Sequence, residues 1–173
     1  TQMSLTGQGL LQGDEVILAN IRDESTLRTV FQLTRPDIVF HAAALKHLPL
    51  LVSYPCEAWK TNGLGTANVL TAAADAGVGT FVNISTDKAA DPTCVLGYSK
   101  RVAARLTADF ARTQPGRYVS VRSGNVLGSR ASVVPALVQQ IEGGGATPVP
   151  HPSVARCSLP LPQPGHLVTA VPA

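Results

Sequence analysis

The stretch TFVNISTDKAADPTCVLGYSKRVAARLTADFAR, residues 80–112, decides the fold of this chain. Its first six residues form a short apolar run with branched side chains, which predicts a buried strand at 80–85. Residues 98–112 predict the clearest helix of the sequence, because apolar side chains recur on one helical face. These side chains are Val102, Ala103, Leu106 and Phe110. A strand, a loop and a helix in succession are typical of a β-α-β unit.

The same alternation continues on both sides of this stretch. Further short apolar runs predict strands at 15–19, 37–41 and 117–122. A helix is predicted after residue 23, with Asp23 or Ser25 as its cap and Arg35-Pro36 as its stop. Other helices are predicted at 53–60, 64–76 and 133–142. The predicted class is therefore α/β, a doubly wound parallel sheet with helices on both faces.

The last part of the sequence has a different composition. Seven of the 13 prolines lie between Pro148 and the end, and Arg156 is the only Asp, Glu, Lys or Arg after Glu142. Such a segment is a poor former of helices and inner strands. The sequence therefore predicts one folded domain at 1–146 and an irregular or disordered, Pro-rich tail at 147–173.

Composition excludes several classes of protein. The chain has 173 residues, of which 45% are hydrophobic and 14% charged, so one buried core is expected rather than disorder. The net charge of +3 comes without a cluster of Lys and Arg, so no nucleic-acid partner is predicted. Three cysteines at wide spacings predict neither a disulfide scaffold nor a zinc site. No apolar stretch reaches the roughly 18 residues of a membrane span, and a cytoplasmic location is expected.

Polar residues follow each predicted strand, at the edge where doubly wound sheets bind ligands. These sets are Asn20-Ile21, 42–46, 85–88 and 123–125. The third set places a hydroxyl, a carboxylate and an ammonium group in succession, and Lys100 lies twelve residues beyond Lys88 in the first turn of the next helix. Such groups can orient a substrate hydroxyl and move protons. The alternative is that Asp87 caps a turn and Lys88 is a solvated surface charge.

Five segments carry a resemblance to a known family. They are PDIVFHAAALKHLPL, TNGLGTANV, FVNISTDKAADPT, GYSKR and VRSGNVLGSRASVVP. In order and spacing they resemble the blocks of the extended short-chain dehydrogenase/reductases, above all the CapD-like UDP-N-acetylglucosamine 4,6-dehydratases of bacterial polysaccharide biosynthesis. The resemblance runs from about Gly13 to about Pro148. It implies a Rossmann-like domain, bound NAD or NADP, and the loss of water from a UDP-N-acetylhexosamine.

The resemblance also implies roles for single residues. Catalytic roles fall on Thr86, Asp87, Lys88 and Lys100. Thr86 is expected to orient the C4 hydroxyl of the sugar, and the Asp87-Lys88 pair to act as acid and base. Cofactor contacts fall on Asn20, Ile21, Ala42, Ala43, Lys46, Asn62, Ser85 and Lys100. Contacts to the sugar nucleotide fall on Asn125, Arg130 and Arg156. No metal ligand is implied.

This chain departs from the family pattern at two places. The tyrosine of the Y-x-x-x-K motif is replaced by Leu96, and Tyr98 lies two positions too late on the helix. The resemblance therefore favours a dehydratase over a 4-epimerase, which depends on that tyrosine. The G-x-G-x-x-G turn is also absent, since Gly7, Gly9 and Gly13 have a longer spacing and precede a predicted strand.

The missing turn predicts a partial Rossmann-like sheet that lacks the first β-α-β unit. In the strand order 3-2-1-4-5-6, the predicted strand at 15–19 then has no neighbour. Two alternatives to a complete dehydratase therefore remain open. One is a non-enzyme, either an inactive truncated fragment or half of a split protein that needs a separately encoded N-terminal half. The other is a nucleotide-sugar 4-epimerase. A UDP-sugar and a second copy of the chain are the other expected partners.

Overall fold

A computed structural model describes residues 16–126, 133–144, 158–160 and 162–171 of the chain. Helices alternate with parallel strands over most of this length. In chain order the elements are α1 (Glu24–Thr34), β1 (Ile38–His41), α2 (Leu48–Ser53), α3 (Pro55–Ala58), a π-helix (Trp59–Gly65), α4 (Thr66–Asp75), β2 (Thr80–Thr86), a 3₁₀ turn (Asp87–Ala89), α5 (Val95–Thr113), β3 (Arg117–Ser123), β4 (Asn125–Val126), α6 (Val133–Glu142), β5 (Ser158–Leu159) and α7 (Pro162–Thr169).

The main sheet has three parallel strands in the order β1-β2-β3. Its register places Val39, Phe81 and Tyr118 in one row on the same face. Apolar residues of α1, α4 and α5 pack against this row and form the main core. Phe81 is fully buried at the centre of the core. The predicted strands at 37–41, 80–85 and 117–122 and the α/β class are thereby confirmed.

Local signals in the sequence set the ends of α1. The Asp23 carboxylate accepts a hydrogen bond from the Thr26 backbone N–H and caps the first turn. Arg35 adopts a left-handed conformation with φ 41°, and Pro36 follows it, so the helix ends at Thr34. Leu27 and Phe31 are buried. The structure thus confirms the predicted helix, its Asp23 cap and its stop.

The helical segment between β1 and β2 is more broken than predicted. A helix was expected at 53–60, but α2 ends at Ser53 and α3 begins at Pro55. Proline suits the first turn of a helix, where no N–H donor is needed, and disrupts a helix interior. The chain continues as a π-helix through Gly65 before α4 begins. Gly77 follows α4 with φ 73°, as expected for the residue that closes a helix.

The predicted strand at 15–19 is wrong over the part of it that the structure describes. Residues 16–19 belong to no strand, and the exposed fractions of Val16, Ile17 and Leu18 are 36%, 50% and 99%. A strand requires a neighbouring backbone to satisfy its N–H and C=O groups. Among the described strands, β1 pairs with β2 alone, and none lies beside residues 16–19, as the missing first β-α-β unit predicted.

The expectation of an irregular tail also needs a correction. Within 147–173, β5 pairs in parallel with β4, and α7 packs against β3. Pro162 and Pro164 both lie in the first turn of α7, the part of a helix that tolerates proline. No helix in the described parts of the chain combines the length and apolar character that crossing a membrane requires.

Candidate active site at the carboxyl edge of the sheet

A hydrogen-bonded cluster forms where β2 ends. Asp87 Oδ1 accepts hydrogen bonds from Thr86 Oγ1 at 2.8 Å, from the Lys88 backbone N–H at 2.8 Å and from Lys88 Nζ at 3.1 Å. Lys88 Nζ also donates to Asn125 Oδ1 at 3.1 Å. Asn125 is the first residue of β4, so the lysine links the 3₁₀ turn after β2 to the start of β4. The structure therefore brings together four residues that the sequence predicted for this edge.

The surroundings of Asp87 favour its charged form. Partial burial alone raises the pKa of a carboxyl, but hydrogen bonds from Thr86 and Lys88 and the Lys88 charge outweigh it and lower the pKa of Asp87. The side chains of Asp87 and Lys88 are 48% and 32% exposed, so a bound molecule can reach both. This edge therefore presents a carboxylate in direct contact with an amine.

Lys100 reaches the same edge from α5. Its Nζ donates a hydrogen bond to the Ile84 carbonyl oxygen at 2.8 Å, next to the end of β2. Burial lowers the pKa of Lys100 to about 8, because removal from water disfavours the ammonium form. The expectation that this lysine reaches back to the edge of the sheet is confirmed.

Gly97 allows α5 to lie directly against the 3₁₀ turn that carries Lys88. A Cβ atom at Gly97 would be 2.5 Å from the Lys88 carbonyl oxygen and 3.1 Å from Pro92 Cβ. Both distances are shorter than a van der Waals contact, and the first involves backbone. The absence of a side chain at this position therefore sets how close Lys100 and Lys88 can be.

We expect Gly97→Ala to lower the free energy of unfolding by about 1–3 kcal/mol, as for other overpacked sites. Alanine is the better helix former, so helix propensity alone predicts that the substitution raises the free energy of unfolding. Urea denaturation of the two proteins measures the difference. Ala108→Gly exchanges the same two residue types at an exposed position of α5 and serves as the control for propensity. A Gly97→Ala variant at least as stable as the parent contradicts the packing argument.

Asn62 holds the backbone of the segment that follows β1. Its Oδ1 accepts a hydrogen bond from the Leu45 N–H at 2.8 Å, and its Nδ2 donates to the Leu45 carbonyl at 3.0 Å and to Ser99 Oγ at 2.9 Å. Asn62 is 1% exposed. It therefore orders the segment predicted to lie along a cofactor. Sequence reasoning missed Ser99, whose only signal is that it precedes Lys100.

The Asn20-Ile21 turn is anchored from two sides. The Ile21 carbonyl accepts a hydrogen bond from Asn68 Nδ2 at 3.1 Å. A Cβ atom at Gly65 would be 2.7 Å from Ile21 Cδ1, so a larger residue at this position would require the Ile21 side chain to shift. The exposed Asn20 side chain accepts a hydrogen bond from the Arg22 N–H at 3.0 Å.

Arg22 ties this turn to the helical segment that carries Asn62. Its guanidinium forms an ion pair with Glu57 at 2.6 Å and donates a hydrogen bond from Nε to Thr61 Oγ1 at 2.9 Å. Arg22 is a second residue that sequence reasoning missed. Its contacts join residues 35 and 39 positions apart, which no local pattern reveals.

The residues at this edge fit one half of the NAD(P) cofactor that the resemblance implies. Ser85 Oγ is buried and has no hydrogen-bond partner among the described residues, so it has capacity for a further polar contact. Ala42 and Ala43 are exposed, and their small side chains permit close approach to the backbone. Lys46 is exposed on the same segment. Together with Lys100, these groups suit the nicotinamide ribose half.

The pyrophosphate half has no such match in the sequence. A dinucleotide pyrophosphate is held by a glycine-rich turn between a strand and the N-terminus of a helix. The 173 residues contain no G-x-G-x-x-G segment. Gly7, Gly9 and Gly13 lie outside the described residues, as do Arg130 and Arg156. The described edge therefore holds the residues to which the resemblance assigns the nicotinamide side of the cofactor, and the sequence has no recognisable pyrophosphate turn.

Leu96 and Tyr98 occupy different environments on α5. Leu96 is 7% exposed and packs with Leu51 and Ala58 in a second apolar cluster. Tyr98 is 58% exposed. The position one helical turn before Lys100 therefore holds an apolar side chain and no phenol. Among the described residues, no group of three or more His, Cys, Asp and Glu side chains is arranged to bind a metal ion.

Comparison with known proteins assigns the chain and its fold to a family. The profile of a family described as "Polysaccharide biosynthesis protein" matches residues 2–172. The probable polysaccharide biosynthesis protein EpsC of Bacillus subtilis is 42% identical over 151 residues, which cover 87% of this chain and 25% of EpsC. A UDP-glucose 4-epimerase of Rickettsia conorii is 43% identical over 128 residues, covering 72% of this chain and 38% of the epimerase.

A solved structure has the same fold. It is a double mutant of DesIV, a dTDP-glucose 4,6-dehydratase of Streptomyces venezuelae, determined with NAD bound. The TM-score is 0.81 at 21% identity, over 90% of this chain and 53% of DesIV. The chain thus spans between a quarter and about half of the length of these relatives. By its profile match and its Rossmann-like parallel sheet, the chain belongs to the polysaccharide biosynthesis protein family, in the CapD-like group of extended short-chain dehydrogenase/reductases.

Proposed function

We propose that this chain carries the catalytic edge of a nucleotide-sugar 4,6-dehydratase that acts on a UDP-N-acetylhexosamine in polysaccharide biosynthesis. The observation that carries the proposal is the Thr86-Asp87-Lys88-Asn125 cluster at the carboxyl edge of the sheet. We also propose a cytoplasmic location, which the free thiols of Cys56 and Cys94 favour.

Elimination of water from a sugar requires a base at one carbon and an acid at the departing hydroxyl. A carboxylate and an amine in direct contact can fill both roles, because a proton taken by one group can be supplied by the other. Thr86 lies beside them and can orient a sugar hydroxyl. Asn125 holds Lys88 Nζ toward β4, which keeps the amine at the edge.

NAD or NADP supplies, when bound, a reversible hydride acceptor for such a reaction. We assign its nicotinamide ribose end to Ser85, Lys100 and the 42–46 segment, and its adenine end to Asn20 and Ile21. Asn62 orders the 42–46 segment through the Leu45 backbone. Sugar-nucleotide contacts are assigned to Asn125, Arg130 and Arg156. These assignments rest on the family resemblance and on the positions of the described residues at one edge.

A 4-epimerase is the second candidate, because the Rickettsia conorii relative carries that name. The buried Leu96 argues against it, since the reaction of the family's epimerases depends on a phenol at that position. The two activities differ in their products. Epimerisation keeps the C6 hydroxyl of the sugar, whereas dehydration removes it.

Product analysis with this protein tests the proposal. UDP-N-acetylglucosamine and NAD are incubated with the protein, and the sugar is analysed by mass spectrometry and NMR. We expect a product that has lost one water, with a keto group at C4 and a methyl group at C6. A product of unchanged mass with inverted C4 identifies an epimerase. Absence of any conversion favours a non-enzyme, or a protein that needs a separately encoded partner.

We expect a polypeptide of these 173 residues to bind NAD(P)(H) with a dissociation constant above about 1 mM. Such binding has less than half the binding free energy of a nanomolar complex. The reason is that the sequence lacks the glycine-rich turn that normally holds the pyrophosphate. Calorimetric titration with NADH measures the affinity, and a dinucleotide-binding protein with an intact glycine-rich turn is the control. Saturable binding at micromolar concentrations contradicts the prediction.

A further inference from the structure

A buried histidine at the end of β1 has no part in the chemistry proposed above. His41 is 4% exposed, and its Nε2 lies 2.9 Å from Thr66 Oγ1 at the start of α4. The Thr66 hydroxyl donates its single proton to the Asn62 carbonyl oxygen at 2.8 Å. Nε2 must then be the donor to Thr66. The geometry therefore requires a proton on Nε2, and burial first, then the charge of Lys100, lower the pKa of His41 to about 4, so the imidazole is neutral near pH 7.

The hydrogen bonds continue from Asn62 to both sides of the candidate site. The Asn62 carbonyl lies in the π-helix, and its side chain bonds both backbone groups of Leu45 and the Ser99 hydroxyl. Ser99 precedes Lys100 on α5. Asn62, Thr66 and Ser99 are all at most 6% exposed, so water does not compete for these bonds. One buried chain of polar groups thus joins β1, the π-helix, the segment after β1 and α5.

We propose that His41 is a positioning residue that holds the Thr66 hydroxyl on the Asn62 carbonyl and thereby fixes Asn62 against Leu45. Without the Nε2–H donor, the Thr66 hydroxyl loses the partner that sets its rotation. The Asn62 carbonyl and side chain then lose their fixed orientation, and the Leu45 N–H becomes free to exchange. The value of this order for cofactor binding rests on the proposed function, whereas the order itself is measurable without any cofactor.

Thr107 provides a closely matched control inside the same protein. Its hydroxyl donates to the Ala103 carbonyl four residues earlier at 2.8 Å, as the Thr66 hydroxyl donates to Asn62. It also accepts a hydrogen bond from a buried strand residue, Asn83 Nδ2, at 3.1 Å. Thr107 is 1% exposed and Thr66 2%. Neither of these contacts involves His41, Leu45, Asn62, Thr66 or Ser99.

Hydrogen exchange of single amides tests the proposal in the cofactor-free chain. The exchange rate at Leu45 is measured by NMR relative to that at Val82, a fully buried residue of β2 that reports global unfolding. We expect His41→Met and Thr66→Val each to raise this ratio by about tenfold, the equivalent of one typical hydrogen bond. His41→Gln keeps an N–H donor near the Nε2 position. It is expected to leave the ratio within about threefold of the parent, a smaller change than the loss of one typical hydrogen bond produces.

The control and the double variant decide between positioning and simple packing. Thr107→Val is expected to destabilise the protein while leaving the Leu45 ratio unchanged. His41→Met combined with Thr66→Val is expected to raise the ratio no further than either change alone, because both break the same connection. An unchanged ratio in His41→Met, or an equal rise in Thr107→Val, overturns the proposal. Neither result bears on the dehydratase assignment, which is tested by its product.

Discussion

We expect Asp87→Asn to lower the rate of dehydration by about 10²–10⁴-fold, the usual contribution of a general acid or base. Asparagine can still accept the hydrogen bonds of Thr86 and Lys88, so the local geometry is retained. It cannot take up a proton. The loss should therefore appear in kcat, and the Michaelis constant for the UDP-sugar should change little.

Asp91→Asn is the matched control for this experiment. Asp91 is exposed and lies four residues after Asp87, and its substitution by Asn removes the same charge. Its rate should equal that of the parent within about twofold, as for surface changes worth less than 0.5 kcal/mol. Full activity in Asp87→Asn would falsify the assignment of proton transfer to this carboxylate.

The second large effect is a loss of stability in acid that depends on His41. Burial first, and then the charge of Lys100 on α5, lower the pKa of His41 from 6.5 to about 4. The other groups in contact with its ring, Thr66 on α4 and Phe81 on β2, are uncharged. The unfolded chain therefore binds a proton at a higher pH than the folded chain does.

The lowered pKa of His41 defines the pH range of its effect on stability. Its contribution to the free energy of unfolding is fully present above pH 6.5, and it is lost as the pH falls toward 4, where the folded imidazole also becomes charged. A pKa difference of this size corresponds to about 3 kcal/mol of unfolding free energy. Urea denaturation between pH 7 and pH 4 measures the loss.

His41→Gln isolates this effect because glutamine does not titrate. The carboxyls of Asp23, Glu57 and Asp87 also have lowered pKa values, so their contributions to the stability of the protein are also lost in acid. This loss is the same in both proteins. The parent should lose about 3 kcal/mol more than His41→Gln over this range. Equal losses in the two proteins would show that His41 is not held neutral.

Local patterns in the sequence predicted the elements whose signals are complete within a few residues. The strands at 37–41, 80–85 and 117–122 are short apolar runs between polar breaks. The Asp23 cap and the Arg35-Pro36 stop act on their own helix, and the structure confirms them. The Asp87-Lys88 set was predictable because parallel strands place their carboxyl ends at one edge.

Predictions that needed a distant partner were less successful. An apolar run at 15–19 has the composition of a strand, but residues 16–19 form none; the missing neighbour was predicted from the strand order, and its consequence for this segment was not. The tail composition argued against helices, yet two prolines fall in the one helical turn that accepts them. The shared reason is that pairing and packing depend on residues far away in the chain, which local composition does not contain.

By itself the sequence determined the order of strands and helices and the residue types at the edge of the sheet. The reason is that hydrophobic periodicity, helix caps and helix-breaking residues act over only a few residues. The tertiary structure alone decided which of those residues meet. It placed Asn62 on Leu45 and Ser99, His41 on Thr66, and the backbone of Gly97 against Lys88. These contacts join positions up to 37 residues apart. Their formation depends on the burial of polar groups that must find partners within the folded core.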